Sequence, residues 1–358
     1  MSPKQTDPQK SATFSEIISE PYVWQTVLGE LRRDPLITRI LTAAQSRTEW
    51  LFIGCGTSFY LAEAAAHSWM LLTGQRARAV PASEPLLFPE LALAGVPNLQ
   101  VVVISRSGKT SEALRAAKVF KNDFHVPTIG ITCAMRSQLE DVCDMTIRLV
   151  AADEQSTVMT RSFTSMLLAL QHLAARITKN DNFLQALEKL AAHFVPQIGD
   201  ITEKVQDFVA GHDFEDYVFL GQGPFHGIAR EASLKVAEMS CSYSQVFHTL
   251  EFRHGPKAVV SPRTCLMFFL SENGYDAEGE VLEEMAELGG VVIAICNRAT
   301  KHIRDHSQLV FELGFDGPDV ARLAPYVVPA QLLGFFTGTK KDLDPDNPRN
   351  LTRVVILD

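Results

Sequence analysis

The chain has 358 residues, of which 46% are hydrophobic and 21% charged, with a formal net charge of −9 at pH 7. This length and balance predict a globular protein with room for two domains, and no apolar run approaches the roughly 20 residues of a membrane span. The net negative charge excludes a surface built for nucleic acid, so a phosphate must be attracted by a local site.

The start of the chain predicts a cytoplasmic protein. Residues Met1–Phe14 are polar and lack the apolar core of a secretory signal, and we expect the first dozen to be disordered. The six cysteines form no CxxC pair, so we expect reduced, buried thiols. From Phe14 to Ala44 the sequence predicts helices, with breaks at Pro21 and near Pro35.

Strands and helices then alternate. Trp50–Ile53 is predicted as a strand that leads into the loop Gly54-Cys55-Gly56-Thr57-Ser58 and a helix over Phe59–Leu72. Further extended segments are predicted at Ala79–Glu84, Leu99–Ile104, Val126–Thr132 and Met145–Leu149. This α/β alternation is typical of a doubly wound parallel sheet with helices on both faces, a three-layer α/β/α arrangement.

The segment from Leu99 to Phe120 carries the first chemical signal. A buried strand is followed by a hydroxyl-rich turn, Ser105–Ser111, and by a helix over Glu112–Phe120 with its apolar residues on one face. The N–H groups and positive dipole end of a helix N-terminus favour an anion, and hydroxyls add further donors. We therefore predict a phosphate monoester site formed by Ser105, Ser107, Gly108 and Thr110.

Other interpretations of these loops stay open. Gly108-Lys109-Thr110 resembles the end of a nucleotide P-loop, but Val103 stands where that motif needs its first glycine. Alternatively, the Ser and Thr side chains only cap the helix. Gly54-x-Gly56 raises a dinucleotide fold, which we disfavour because Phe59 occupies the third glycine position.

A helical region follows the first set of strands. The polar segment Glu154–Thr164 leads into helices predicted over Ser165–Lys179 and Asn182–Phe208, the second interrupted near Pro196. We expect this region to join two halves of the chain.

The second half repeats the first. Gly221 follows Gly54 by 167 residues, and Ser271 follows Ser105 by 166, each within a similar strand–loop signal. Two matches at nearly one offset indicate a duplicated domain. The second loop, Ser271–Asp276, carries two carboxylates that would repel a phosphate, so we predict one phosphate site per chain.

Acid–base candidates lie between Arg230 and Pro256. Three residues spaced three or four apart share one face of a helix predicted over Arg230–Met239: Glu231, Lys235 and Glu238. Sugar-phosphate isomerisation needs a ring opener and a base, roles that suit His254 in the following loop and a partly desolvated Glu238. Alternatively, Glu238 is a surface carboxylate paired with Lys235, and His254 caps its loop.

A second polar pattern offers a weak metal signal. His302 and His306 are one helical turn apart, with Asp305 between them. A metal site needs a further ligand, so we interpret the pattern as a solvated helix face and predict no metal or organic cofactor.

These residues together resemble the sugar isomerase (SIS) domain family, in particular the isomerase half of glucosamine-6-phosphate synthases, single-chain amino-sugar-phosphate deaminases and ketose/aldose isomerases. The matching segments follow the family's order over most of the chain: Gly54–Ser58, Ser105–Thr110, Thr160–Thr164, Glu231–Glu238, Arg253–Pro256 and Pro348–Leu351. The resemblance implies two tandem SIS domains and a homodimer, without nucleic-acid or membrane partners.

The implied domain plan has five parts. They are a helical segment over residues 1–45, a phosphate-binding SIS domain 1 over 46–180, a helical connection over 181–210, an SIS domain 2 over 211–330 and a tail over the active site at 331–358.

The resemblance also implies residue roles. The phosphate ligands fall on Thr57, Ser58, Ser105, Ser107 and Thr110, with Gly108 in the same loop. The proton-transfer base falls on Glu238 with Lys235 as its support, and the ring opener on His254, which in this family often reaches the neighbouring subunit's active site. Further substrate contacts are implied for Gly56, Arg106, Thr160, Ser162, Glu251 and Arg353.

The departures from the family concern amination. Synthases carry a glutaminase domain that opens with a nucleophilic cysteine, whereas here Ser2 follows Met1 and we expect no such domain. Their C-terminal lysine forms a Schiff base with the ketose, but Arg353 stands at that position and a guanidinium does not lose its proton. We therefore expect an amino-sugar-phosphate isomerase/deaminase. A plain aldose–ketose isomerase, a glutamine-independent relative of the aminotransferase, and a non-catalytic sugar-phosphate sensor stay open.

Overall fold

The computed structural model describes residues 10–93 and 98–357, which form two compact units. The described residues of the first, here the N-unit, lie within 20–155, 159–192 and 352–357, and those of the second, the C-unit, within 10–19, 156–158 and 193–351. Residues 1–9, part of the start expected to be disordered, lie outside the described residues. That expectation is wrong for Ser11, which is 2% exposed and caps the first helix.

Helices form the first part of the chain: α1 (Ala12–Ile18), α2 (Glu20–Arg33) and α3 (Pro35–Ala44). The predicted breaks at Pro21 and Pro35 are confirmed. Both prolines stand in the first turn of their helices, where the missing N–H removes no helical hydrogen bond.

The remaining elements of the N-unit alternate as predicted. They are β1 (Glu49–Gly54), α4 (Thr57–Thr73), β2 (Arg76–Pro81), α5 (Glu84–Leu87), α6 (Pro89–Leu93), β3 (Leu99–Ile104), α7 (Ser111–Lys118), β4 (Thr128–Thr132), α8 (Gln138–Val142), β5 (Met145–Arg148), α9 (Arg161–Ile177) and α10 (Asp181–Phe194). The extended segment expected at Ala79–Glu84 is wrong by three residues, because β2 pairs with β1 from Arg76 opposite Glu49.

The five strands of the N-unit form one parallel sheet in the order β2-β1-β3-β4-β5. Its central strands β1 and β3 are mostly apolar because both faces are covered, and Ile53 and Val103, opposite each other in these strands, are fully buried. The loops that follow these two adjacent parallel strands therefore lie at the same edge of the sheet.

The C-unit repeats this arrangement. Its further elements are α11 (Ile198–Gly211), β6 (Asp216–Gly221), α12 (Pro224–Ser240), β7 (Tyr243–Phe247), β8 (Thr264–Phe269), α13 (Tyr275–Glu287), β9 (Val291–Cys296), α14 (Lys301–Asp305), β10 (Leu309–Glu312) and α15 (Leu323–Lys340). The parallel sheet order β10-β9-β8-β6-β7 is the N-unit order when each set is numbered from its own first strand. The predicted fold class, two tandem doubly wound α/β domains, is confirmed.

The glycines of the two units show how close the repetition is. Gly56 and Gly223, at the N-caps of α4 and α12, have φ and ψ of 53° and −126° and of 54° and −127°. At Gly54 and Gly221, which end β1 and β6, an added Cβ would lie 2.5 Å and 2.4 Å from backbone atoms four residues on. Both strand-to-helix turns therefore require glycine at the same two positions.

Two details differ from the sequence analysis. In the sheets, Ile53 lies opposite Val103 and its counterpart Leu220 lies opposite Phe268, so Val103 and Phe268 are equivalent positions 165 residues apart. The predicted match of Ser105 with Ser271 has an offset of 166 and is therefore wrong by one residue. The domain boundary expected at residues 330 and 331 falls inside α15, because Pro329 lies within that helix without ending it. None of the described helices is long and apolar enough to cross a membrane.

Replacing Gly221 with alanine tests the tight turn. We expect Gly221→Ala to lower the free energy of unfolding by about 2 kcal/mol, because the new Cβ would meet the Phe225 carbonyl oxygen. Gly199→Ala in α11, where the added Cβ meets no atom within 4 Å among the described residues, should instead raise it by about 0.5 kcal/mol. Urea unfolding measures both, and equal stability of the Gly221→Ala variant and the wild type would contradict the turn.

Candidate active site

The loop of residues 105–110 joins the end of β3 to the start of α7. Its backbone is folded tightly: the Gly108 amide donates to the Ser105 carbonyl at 3.1 Å, and the Ser105 and Thr110 hydroxyl oxygens are 3.2 Å apart. Gly108 has a φ of +60°, and a Cβ there would lie 2.3 Å from that of Ser137. The loop thus brings the predicted hydroxyls together at a helix N-terminus.

The donors of this loop are not used to cap α7. Thr110 is the N-cap residue, yet its hydroxyl makes no capping hydrogen bond among the residues described. Within the same residues, the backbone amides of Ser107 and Thr110 also have no acceptor. The interpretation of Thr110 as only a helix cap is therefore wrong, and these groups point to an anionic ligand.

The loop after β1 lies beside this loop. Thr57 and Ser58 begin α4 and are each 5% exposed, and the Cys55 thiol lies 3.8 Å from the Glu112 carboxylate on α7. Burial, together with Glu112, raises the pKa of Cys55 to about 12, so the thiol stays protonated and donates to Glu112. The structure thus brings the predicted Thr57–Ser58 and Ser105–Thr110 groups to one edge of the sheet, where doubly wound folds bind ligands.

Arg106 in the same loop is held by a carboxylate that the sequence analysis did not single out as a site residue. Its guanidinium lies 3.3 Å from Glu154, and the two side chains are 5% and 0% exposed. Glu154 also accepts hydrogen bonds from the amide and hydroxyl of Thr160 at 2.6 and 3.0 Å and from those of Ser162 at 3.1 and 2.5 Å. The Thr160 and Ser162 hydroxyls therefore both donate to Glu154. Their contact with a substrate stays a prediction.

The C-terminal segment, residues 352–357, lies along the same loop and helix. Arg353 donates to the Asp153 carboxylate at 2.8 Å and to the Glu154 carbonyl, while its own carbonyl accepts from Arg106 at 2.9 Å. Further on, the Val355 carbonyl accepts from the Ser111 amide at 3.3 Å. Arg353 thus holds residues 352–357 next to Arg106 of the loop 105–110.

In the C-unit, α12 carries the three residues expected to share one face. Lys235 Nζ lies 3.3 Å from Glu231 and 2.5 Å from Glu238, which confirms that expectation. The alternative of a surface carboxylate paired with Lys235 is confirmed for the pairing but wrong for the surface position, because the side chains of Lys235 and Glu231 are fully buried and that of Glu238 is only 18% exposed. Burial opposes the charge of Lys235, but the two carboxylates outweigh it and raise its pKa.

His254 lies apart from this triad. It is exposed between two 3₁₀ turns, Leu250–Arg253 and Pro256–Val259, and its imidazole has no hydrogen-bond partner among residues 10–93 and 98–357. Glu251 in the first turn is also exposed. No hydrogen bond or ion pair of the described residues joins His254 to Glu238, so their joint action stays a prediction.

The loop after β8 shows why the C-unit differs. Here the fully buried Glu278 of α13 accepts from the Ser271 amide at 2.7 Å and from the Ser271 hydroxyl at 2.9 Å. Glu272, one of the two carboxylates expected to repel a phosphate, is paired with Arg322 at 2.5 Å, and the repulsion stays a prediction. A carboxylate of the protein itself therefore takes the donors that would receive an anion.

Comparisons with known proteins identify the family of the chain. The family model described as "SIS domain" matches residues 44–176 and 212–332. Glutamine–fructose-6-phosphate aminotransferase [isomerizing] of Aliivibrio fischeri is 26% identical over 96% of this chain and 58% of its own length. The chain therefore spans little more than half of such curated relatives.

Solved structures extend the comparison. Glucosamine-6-phosphate deaminase from Thermotoga maritima has a TM-score of 0.77 and 29% identity, with 97% of this chain and 100% of that chain covered. Tagatose-6-phosphate ketose/aldose isomerase from Escherichia coli has a TM-score of 0.85 and covers 98% of this chain and 97% of its own. At 22% identity, that second match shows the common fold alone.

The Glu278 carboxyl gives a prediction about pH. Burial raises its pKa from 4.5 to about 7, despite the hydrogen bonds from Ser271. Because the folded state binds the extra proton, this stabilisation is complete below about pH 4.5 and is lost as the pH rises through about 7. The Glu278→Gln variant does not lose this stabilisation. The difference between its free energy of unfolding and that of the wild type should therefore increase in favour of the variant by on the order of 3 kcal/mol from pH 5 to pH 8.

Urea unfolding at several pH values measures this difference. Glu287→Gln, on the exposed end of the same helix, is the matched control and should run parallel to the wild type. A Glu278→Gln curve that also stays parallel would contradict the protonation of the buried carboxyl.

Proposed function

The chain belongs to the SIS domain family, and from that premise we propose that it is a phosphosugar isomerase/deaminase acting on an amino-sugar phosphate such as glucosamine 6-phosphate or galactosamine 6-phosphate. Its products would be a ketose phosphate and ammonia. The observation that carries the proposal is the pair of backbone amides, of Ser107 and Thr110, that have no acceptor among the described residues and lie beside the Ser105, Ser107 and Thr110 hydroxyls.

The phosphate would be bound by the N-unit. Ser107 and Thr110 offer hydroxyls and, within the described part of the chain, amides without an acceptor, and the Ser105, Thr57 and Ser58 hydroxyls lie at the same sheet edge. The dipole of α7 favours a dianion, and binding of a phosphate monoester at such a helix start needs no net positive charge on the protein. The chain's net charge of −9 thus fits a local site.

The proton transfer would be carried by Glu238. Lys235 donates to one carboxylate oxygen and fixes its position, while the second oxygen, Oε1, has no partner among the described residues. With the sugar opened to its C1 aldehyde, Glu238 would remove the C2 proton and return it to C1. An aminated C2 then becomes an imine, which water hydrolyses to the C2 ketone and ammonia.

His254 would assist ring opening by moving a proton between the ring oxygen and the C1 hydroxyl. Its exposure and the lack of a partner among the described residues support a role at the active site of a second subunit. We therefore propose a homodimer in which His254 of each chain lies at the active site of the other chain.

Arg353 argues against transfer of an amine to a ketose. A Schiff base needs a neutral amine, whereas this guanidinium keeps its charge and already pairs with Asp153. The aminotransferase activity named for the curated relatives is therefore not part of the proposal.

The test is to incubate the protein with glucosamine 6-phosphate and galactosamine 6-phosphate and to measure ammonia and ketose phosphate together. We expect equal amounts of both products from at least one of these substrates. Glu238→Gln should lower kcat by about 10²- to 10⁴-fold with little change in KM, since the amide cannot accept the proton. Glu203→Gln, an exposed carboxylate on α11, is the control and should keep wild-type activity.

Other outcomes decide between the alternatives. Ketose formation without ammonia would assign plain aldose–ketose isomerisation. Thermal stabilisation by both sugar phosphates without turnover would assign a sensor, and full turnover by Glu238→Gln would exclude the proposed base.

A further inference from the structure

Three metal-ligating side chains meet on one face of the C-unit, away from α12. His302 and His306 are one turn apart along α14 and just beyond it, and Glu283 faces them from α13. The Glu283 carboxylate oxygens lie 3.7 Å from His302 Nε2 and 3.4 Å from His306 Nε2. One ligand atom from each of the three residues lies within 4.8 Å of the other two.

The two carboxylate–imidazole distances, one to each oxygen of Glu283, are close to those between the ligands of a bound ion. Bonds of about 2.0–2.1 Å in a tetrahedral site place neighbouring ligand atoms about 3.3 Å apart. Both carboxylate–imidazole distances are within about 0.4 Å of that value. Drawing the two imidazoles together needs only small side-chain rotations, which their partial exposure of 43% and 28% allows.

The orientation of the His306 ring is already set for binding. Its Nδ1 lies 2.9 Å from the His302 carbonyl oxygen, which can only accept, so Nδ1 donates this hydrogen bond. Nε2, which faces Glu283, is then the nitrogen available to an ion. Histidine ligands of metals are commonly oriented by this kind of hydrogen bond from the other ring nitrogen to a carbonyl.

The backbone under the cluster is fixed. Ile303, between the two histidines in sequence, is fully buried and belongs to the apolar core of the C-unit. A Cβ on Gly279 of α13 would lie 3.2 Å from the Ile303 side chain, so α14 packs closely on α13. Because both helices are held in place, the three ligands need no rearrangement of the backbone to meet.

The neighbouring cations are already paired. Lys301 contacts Asp305, and Arg304 contacts Glu312. Among residues 10–93 and 98–357, no lysine or arginine pairs with the Glu283 carboxylate, so a metal ion would displace none of these from it.

We propose that Glu283, His302 and His306 bind one divalent transition-metal ion, with Zn²⁺ as the preferred ion and water in the remaining position. Two imidazoles and one carboxylate suit Zn²⁺, whereas Mg²⁺ and Ca²⁺ prefer oxygen ligands throughout. The ion links α13 to α14 and takes no part in the isomerisation. The site is thus independent of the proposed function.

The test uses the full chain without an affinity tag, treated with chelator and dialysed. Cys241→Ser serves as the background because it removes the exposed thiol. Calorimetry with Zn²⁺ and visible absorption with Co²⁺ should each report one ion per chain, and excess Mg²⁺ should not compete. His302→Ala, His306→Ala and Glu283→Gln should each weaken binding at least about tenfold.

His125→Ala, an exposed histidine of the N-unit, is the matched control and should bind the ion like the background protein. Circular dichroism of each variant checks that it is folded, and Zn²⁺ should raise the melting temperature of the background protein but not of His306→Ala. Absence of binding to the background protein, or binding by the His302→Ala and His306→Ala variants as tight as that of the background protein, would overturn the proposal.

Discussion

Buried amide and hydroxyl donors next to the start of a helix need an acceptor. The two units of this chain differ in the acceptor that these donors have. In the C-unit the buried Glu278 takes the Ser271 amide and hydroxyl. In the N-unit the amides of Ser107 and Thr110 have no acceptor among the described residues. In the duplicated fold, a carboxyl group of the protein thus accepts from the C-unit loop, whereas the N-unit loop keeps the donors to which the proposed function assigns the phosphate.

The two units also use their buried ion pairs differently. Beside the loop 105–110, Arg106 pairs with Glu154, and Glu154 also accepts hydrogen bonds from Thr160 and Ser162. These contacts fix the side chains next to the loop before any ligand binds. In α12, Lys235 is shared by Glu231 and Glu238 and leaves Glu238 partly exposed. The proposed function assigns binding to the first set of residues and proton transfer to the second, and preorganised charges of this kind serve both tasks.

The sequence was informative where the backbone itself imposes a residue type. Glycines at tight strand-to-helix turns, apolar strands buried on both faces and the three-to-four spacing in α12 predicted the duplicated fold and the Glu231–Lys235–Glu238 face correctly. The roles of Glu154, Glu278 and Glu283 were missed, because a carboxylate shows its burial and its partners only through contacts with residues distant in sequence. The strand β2 was misplaced for a related reason: alternating Arg and Ala give no apolar run, and only pairing with β1 fixes its register.

The central claim is one open phosphate loop per chain, in the N-unit. It is tested most directly by isothermal titration with the C1-reduced, unreactive form of glucosamine 6-phosphate. The account predicts one molecule bound per chain, an affinity at least about tenfold weaker in the double variant Ser107→Ala/Thr110→Val, and no binding of the same sugar alcohol without its phosphate. Two molecules per chain, or an affinity unchanged by the double variant, would contradict it.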